Sequence, residues 1–308
     1  MENNSYIYNA TEYDEGERVD KLLSALISDI SRTYIQKLLK DGRILVNDKI
    51  IKPNYKLSEG DNIYVSIPDP DPLQIDAENI DLNIIYEDDD IIIVNKPKGM
   101  VVHPAPGHYT GTLVNALLYH CGSNLSGING IMRPGIVHRI DKDTSGLLLV
   151  CKNNRSHMKI SEQLSKHSMT RAYHAIATGN FTYDSGTISQ PIKRDQYDRK
   201  KMSVNISGKE AITHYEVIER YSFKNNPFTY IICKLETGRT HQIRVHMSYI
   251  KHPLLGDTVY GPSKQIINTD GQVLHAKTLG FIHPTTEKYM EFDSELPEYF
   301  KKVLEIIK

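Results

Sequence analysis

Gly135-Ile136-Val137-His138-Arg139-Ile140-Asp141-Lys142-Asp143-Thr144-Ser145-Gly146-Leu147-Leu148-Leu149-Val150 is the stretch on which the reading of this 308-residue chain turns. Polar and charged residues crowd between two apolar runs, where a plain strand-turn-strand needs only a short turn. Leu147 to Cys151 reads as a buried strand. Asp141 therefore sits in the loop that feeds a sheet, where rigid support meets access to a ligand. Asp143, Thr144 and Ser145 also have an ordinary reading, as residues that cap and bend the loop through bonds to nearby amides. Arg139 beside Asp141 exceeds what a turn requires.

The rest of the chain sets bounds on the chemistry. Cys121, Cys151 and Cys233 form no pairable framework and no zinc spacing, so they read as reduced core residues. The N-terminus lacks a basic patch followed by an apolar core, and no run reaches the ~20 apolar residues of a membrane span, which predicts a soluble cytoplasmic protein. Net charge is −1, but it is segregated. Ser31 to Ile50 carries Arg32, Lys37, Lys40, Arg43 and Lys49 against Asp41 and Asp48, whereas Asp76 to Asp90 is strongly acidic. A basic face on a neutral molecule is compatible with a polyanionic partner. Glu87-Asp88-Asp89-Asp90 reads as a solvated turn rather than a metal site, because consecutive carboxylates cannot all converge on one ion.

Residues 1–12 read as a tail or edge strand. Val19, Leu22, Leu23, Leu26, Ile27 and Ile30 follow the spacing of an amphipathic helix. Ser31 is the expected cap of a second helix, with Tyr34, Ile35, Leu38 and Leu39 inward, Arg32, Gln36, Lys37 and Lys40 outward, and Asp41-Gly42 as its end. Short strands follow at Ile44 and Val46 and at Ile63 to Ile67. Over 13–67 this pattern resembles the small RNA-binding domain of ribosomal protein S-four, which implies an RNA grip by Arg32, Lys37, Lys40 and Arg43. The Pro68-Asp69-Pro70-Asp71-Pro72 run must be extended, so 68–76 is expected to be a semi-stiff spacer before a catalytic domain at 77–308. There, strands are predicted at Ile84 to Tyr86, Ile91 to Val94, Arg171 to Ala177, Glu210 to Val217 and Phe228 to Leu235. Helices are predicted after Thr112, over Ser156 to Lys166, after Thr240 as N-cap, and over Pro297 to Ile307, while Lys193 to Lys201 reads as a basic loop. In the strand after Arg171, alternation places Arg171, Tyr173 and Ala175 on one face. Strands and helices mix without regular alternation, so the fold class is α+β: a small N-terminal RNA-binding domain and a larger mixed or antiparallel sheet with flanking helices.

No dinucleotide or phosphate-loop glycine pattern is present, His241 and His246 lack the four-residue spacing of zinc proteases, and no glycine-flanked serine offers an acyl-transfer nucleophile. A reaction without cofactor or metal is left. It needs a carboxylate that stays ionised in a dry site, and since burial raises an aspartate from its ordinary pKa of about 3.9, a cation must offset the rise. Arg244 is the candidate partner for Asp141: on the helix after Thr240, positions 241, 244 and 248 share a face, with Ile243 and Met247 left to the core.

His138-Arg139-Ile140-Asp141 followed by Asp143-Thr144-Ser145-Gly146 is similar to the signature of the RluA-type pseudouridine synthases, with Ile140 where the usual spelling has Leu. Glu87 to Pro104, Arg171 to Gly179, and Leu235 to His246 running on through His252 to Asp257 and Tyr260-Gly261 resemble further family segments, in the family's order. The resemblance implies that uridine in RNA is isomerised to pseudouridine, most simply in large-subunit ribosomal RNA or its precursor particle, by a monomer. Asp141 would initiate, by attack on the anomeric carbon, addition to the pyrimidine, or removal of a ribose proton; all three routes need an ionised carboxylate beside an extruded nucleotide. Tyr173 would stack on the uracil and assist proton transfer, and Arg244 matches the family's partner of the aspartate. His138 and Arg139 would contact RNA, with Arg139 filling the gap left by the flipped base. Thr144 would support the loop, Arg239 and Thr240 would make structural or phosphate contacts, and His241 would give buried hydrogen-bonding support. Arg171 stands where many relatives have Lys. Two other classes compete: a non-catalytic ribosome-associated RNA-binding protein, and a nucleoside or glycoside hydrolase using Asp143 as second carboxylate.

Overall fold

The computed structural model describes residues 5–27, 32–67, 75–104, 108–122, 124–128, 133–198 and 200–308. The chain divides into two units, Met1–Leu73 and Gln74–Lys308.

In the first unit, helices α1 (Val19–Leu26) and α2 (Arg32–Lys40) cover a sheet of strands β1 (Ser5–Asn9), β2 (Ile44–Val46), β3 (Lys49–Ile50) and β4 (Asn62–Ser66), in the antiparallel order β1-β4-β2-β3. Its core is the apolar stripe of each helix, Val19, Leu22 and Leu23 with Ile35, Leu38 and Leu39, closed by Ile44, Ile63 and Val65. Leu26 departs from the predicted stripe and is 47% exposed where α1 ends, whereas Ile27, extended in backbone, still points into the core. Asn47 and Asp48 take positive φ, as a two-residue hairpin turn between β2 and β3 requires. The expected Ser31 cap, Ile30, and the Pro68–Pro72 spacer lie outside the described residues.

Among the described residues, the second unit is built on a nine-stranded sheet. Its strands are β5 (Ile84–Glu87), β6 (Ile91–Lys96), β7 (Ser145–Cys151), β8 (Thr170–Thr178), β9 (Ser185–Ser189), β12 (Ile212–Phe223), β13 (Asn226–Leu235), β14 (Leu274–Ile282) and β15 (Tyr289–Asp293), in the order β5-β6-β7-β14-β8-β13-β12-β9 with β15 on β14. The β7–β14 pair is parallel and the other pairs are antiparallel, which accords with the mixed α+β architecture. Helices α3 (Leu113–Cys121), α4 (Asn154–Ser165), α5 (Gln242–Tyr249) and α6 (Glu298–Ile307) flank it.

The unbroken apolar run of β7 is explained by two cores, one on each sheet face. With period-two alternation, Leu148 and Val150 join Ile92, Val94, Leu113, Leu117, Ile243 and Met247 on one side. Leu147, Leu149 and Cys151 join Ile91, Ile93, Ile160 and Phe281 on the other. The same double burial removes the polar alternation expected of β8, where Arg171, Ala172 and Tyr173 are all buried. Gly146 has φ 116°, and a Cβ there would fall onto the Ala276 backbone, so only glycine admits the close approach of β14.

Two predicted boundaries move. Of the basic Lys193–Lys201 segment, Lys193 and Arg194 belong to strand β10 (Ile192–Arg194), paired with β11 (Met202–Val204), and its other described residues form the loop between them; Arg199 is outside the described residues. Helix α5 is capped by His241 at φ 56°, not by Thr240. Gln242 takes over the polar work, its Oε1 accepting from the Thr237 hydroxyl at 2.8 Å and the Arg239 amide at 2.9 Å.

Candidate active site

Asp141 lies where the loop before β7 meets α5. Its Oδ2 accepts from Arg244 Nη1 at 2.9 Å, and its carboxylate keeps 16% of its surface open. The other side of the Arg244 guanidinium grips Asp257 in a fork, Nε to Oδ2 at 2.7 Å and Nη2 to Oδ1 at 2.9 Å. Such bidentate geometry fixes the plane of an arginine. Asp257 is fully buried and also accepts the amides of Val259 and Tyr260. Burial works to raise its pKa, but Arg244 and those amides hold the carboxyl below the ordinary range. Burial likewise opposes the charge on Arg244, and the two carboxylates outweigh it and push its pKa up. The tyrosine ring of Tyr260 lies 5.1 Å from the guanidinium carbon. One cation thus spans a sealed carboxylate that aims it and an accessible carboxylate that it bonds.

His241 stands on the same side. Its Nδ1 is 2.7 Å from the Tyr260 hydroxyl, which accepts the Met202 amide, and its Nε2 is 3.8 Å from Asp141 Oδ1. Burial lowers the pKa of the ring and Asp141 partly restores it.

The loop is clamped from behind. Lys142 O accepts the Gly99 amide at 2.9 Å and the Lys96 ammonium at 3.1 Å. Lys96 has no exposed surface, also donates to Pro97 O and Met100 O, and is drawn down by burial to a pKa of about 7. Thr144 is buried and its hydroxyl accepts from Gln272 Nε2 at 3.1 Å. Neither Lys96 nor Asp257 had a role in the sequence reading.

Beside Asp141 opens a cavity of about 490 Å³ whose walls include His138, Arg139, Arg171, Tyr173, Arg239 and His241. A narrower pocket continues from it past Tyr173 to Thr144 and Arg244. Tyr173 is 9% exposed, and burial raises its phenol pKa. Arg139 is exposed at the mouth. His138 is placed differently from a charged RNA contact: its Nε2 accepts the Leu149 amide at 2.9 Å, and burial with nearby Arg171 pushes its pKa down to about 3, so the ring is neutral and anchors the loop to β7. Arg239 donates to Glu210 O at 2.8 Å. Thus Asp141, Tyr173, Arg244, Arg139, Arg239, His241 and Thr144 meet around one cleft.

In the first unit, Lys37, Lys40 and Arg43 are exposed, while Arg32 is partly an internal link. Its guanidinium donates to the fully buried Asp20 with two contacts of 3.2 Å, alongside Arg18 and Gln36.

Residues 90–249 match the RNA pseudouridylate synthase family model and residues 17–63 match the S4 domain model. The chain is 53% identical over 296 residues to the uncharacterized RNA pseudouridine synthase YlyB of Bacillus subtilis, covering 96% of both chains. It is 46% identical to ribosomal large subunit pseudouridine synthase D of Zymomonas mobilis, over 94% of this chain and 93% of that protein. Human RNA pseudouridylate synthase domain containing 1 shares the fold, with a TM-score of 0.56 and 24% identity over 75% of this chain and 96% of that one.

Proposed function

The chain belongs to the RNA pseudouridine synthase family, isomerases that act on RNA, and from that premise we propose that it converts specific uridines of large-subunit ribosomal RNA to pseudouridine with Asp141 as the initiating group. The observation that carries this reading is the Asp141–Arg244–Asp257 arrangement at the head of a cleft open to a nucleotide. The ribosomal substrate is supported by relatives named ribosomal large subunit pseudouridine synthase D, which the chain matches over nearly its full length. The non-catalytic alternative is set aside, since the chain is a synthase by family and retains a carboxylate held ready by a cation.

The chemistry asked of the site is bond exchange without net gain or loss of atoms. The bond from the ribose to uracil nitrogen breaks, the base rotates, a bond to carbon forms, and that carbon gives up its hydrogen as a proton while the freed nitrogen takes one up. Asp141 starts it, Arg244 holds and aims Asp141, and Tyr173 faces the uracil and helps move the proton. Arg139 at the mouth occupies the place that the extruded base leaves in the RNA. Thr144, His138 and His241 hold the loop and the helix start. Within the proposed layout, 13–67 grips RNA through Lys37, Lys40, Arg43 and the remaining open side of Arg32, 68–76 spaces the domains, and 77–308 performs catalysis. No helix among the described residues is long and apolar enough to cross a membrane; we place the enzyme as a monomer in the cytoplasm, where its RNA is.

The decisive variant is Asp141→Asn. It is expected to abolish tritium release from ribosomal RNA transcripts carrying 5-tritiated uridine while RNA affinity stays within severalfold of wild type. Full turnover by that variant would remove Asp141 from the mechanism. Release of free uracil would instead point to hydrolysis.

A further inference from the structure

Arg171 is a buried cation without a counter-ion among the described residues. Its side chain leaves β8 on the face it shares with Tyr173, and the residue is 8% exposed. Of the five N–H bonds that a guanidinium offers, one is met by Glu236 O, 2.7 Å from Nη2. Its Nε is buried with no acceptor, and among the described residues no carboxylate lies within ion-pair distance. Asp141, the acid of the same cleft, is taken by Arg244. Burial opposes the charge on Arg171, as does Arg239, while Tyr173 favours it.

A charge buried in this way is strongly unfavourable unless something pairs with it. The fold nevertheless makes room for it. At Gly238 a Cβ would come within 2.7 Å of Arg171 Nη1, so the loop leading to α5 is kept bare where it crosses the guanidinium. Arg171, Gly238 and Arg239 all line the 490 Å³ cavity, with the neutral His138 beside them. Two guanidiniums with one open side and no acid between them suit an anion that can take more than one N–H bond, which describes a phosphodiester better than a neutral carbonyl of a base.

We propose that Arg171, with Arg239 beside it, forms a subsite for a phosphate of the RNA strand next to the uridine held at Asp141. This deepens the functional reading above and rests on it. Arg171 lies two positions along the strand from Tyr173, so the subsite holds the backbone while Tyr173 meets the base. Strand fixation at this point makes Arg171 a residue that sets how the nucleotide presents its sugar to Asp141.

The test compares wild type, Arg171→Gln, Arg171→Lys and Gly238→Ala on an in vitro transcript of Bacillus subtilis large-subunit ribosomal RNA. Binding is measured across a salt series, and KM and kcat are measured by tritium release. A lost phosphate contact on a single strand makes the slope of log affinity against log salt shallower by about 0.7. Arg171→Gln is expected to show that change with KM raised about tenfold, while Arg171→Lys, which keeps the charge but not the fork, recovers the slope and only part of KM. Gly238→Ala keeps the charge but displaces the guanidinium, and is expected to raise KM severalfold with an unchanged melting temperature. It carries the test should Arg171→Gln fail to fold. A salt slope parallel to wild type in a folded Arg171→Gln protein, or an unaltered KM in Gly238→Ala, would make Arg171 a structural anchor and overturn the subsite. If wild type binds the transcript but releases no tritium, the functional reading fails, and the salt slopes still decide the subsite.

Discussion

At the scale of single residues, the site is a contest between burial and charge that Arg244 settles. It touches two carboxylates, one sealed and one open, and removing it leaves Asp257 buried with only backbone amides as partners. Arg244→Ala is therefore expected to lose on the order of 3–5 kcal/mol in urea unfolding, the usual result of stranding one member of a buried pair. Arg244→Lys should fold better but turn over poorly, because a single ammonium cannot present the fork to Asp257 and a third N–H to Asp141. Normal stability and normal turnover in the alanine variant would break the assignment. The Asp141–Arg244 pair was legible in the sequence because each sits in a recognisable segment and helical spacing put Arg244 on the right face. Asp257 was not, since its bond to Arg244 spans thirteen residues across an irregular loop with no period to betray it. Lys96 was hidden for another reason: a lysine closing an apolar strand reads as a solvated end, and only the folded loops show its ammonium enclosed by three carbonyl oxygens.

At the scale of elements, polar anchors decide where helices begin and how they join. Capping preference selects Thr240, a good N-cap residue, but α5 starts one residue later, with His241 in a left-handed turn and the Gln242 carboxamide satisfying the amide of Arg239. The turn aims the His241 ring at Asp141 and Tyr260, a tertiary demand that no local preference encodes. In the first unit the anchor is Asp20, near the start of α1, which collects Arg18, Arg32 and Gln36 and so ties α1 to α2. Burial would raise its pKa, yet those donors bring it down from the usual carboxylate value of 3.8 to about 2. A carboxyl depressed on folding adds stability that is complete above its unfolded value and is lost as pH falls through the folded one. Asp20→Asn is thus expected to cost about 2 kcal/mol near neutrality, as lost bonds to a charged group do, with the gap from wild type closing between pH 3.8 and about 2. Calorimetric unfolding of both proteins across that range checks it; a gap that stayed constant would mean that Asp20 does not bind the helices through its charge.

At the scale of the whole molecule, the two units have separate cores. The apolar cluster of the first unit draws only on residues 8–67, and the clusters of the sheet unit only on residues 75–307. That division was readable from the change of pattern either side of the proline run, as was the mixed sheet from its irregular strand spacing, whereas the strand order depends on long-range pairing such as β7 with β14. A net charge of −1 conceals the same division: exposed Lys37, Lys40 and Arg43 sit on the first unit, and the carboxylates of Glu87, Asp88 and Asp90 are spent inside the second, on Lys152, His283 and Ser156. Deleting residues 1–73 should consequently leave the sheet unit folded and able to form pseudouridine on short transcripts. On intact ribosomal RNA the truncated enzyme should bind with a salt slope shallower by about 0.9 for each lost phosphate contact on a duplex. It should also modify a different set of uridines, because the first unit no longer helps to select among them. Sequencing-based mapping of pseudouridine in RNA treated with full-length and truncated enzyme reads this directly. An identical map would confine site selection to the cleft around Asp141 and leave the first unit with affinity alone.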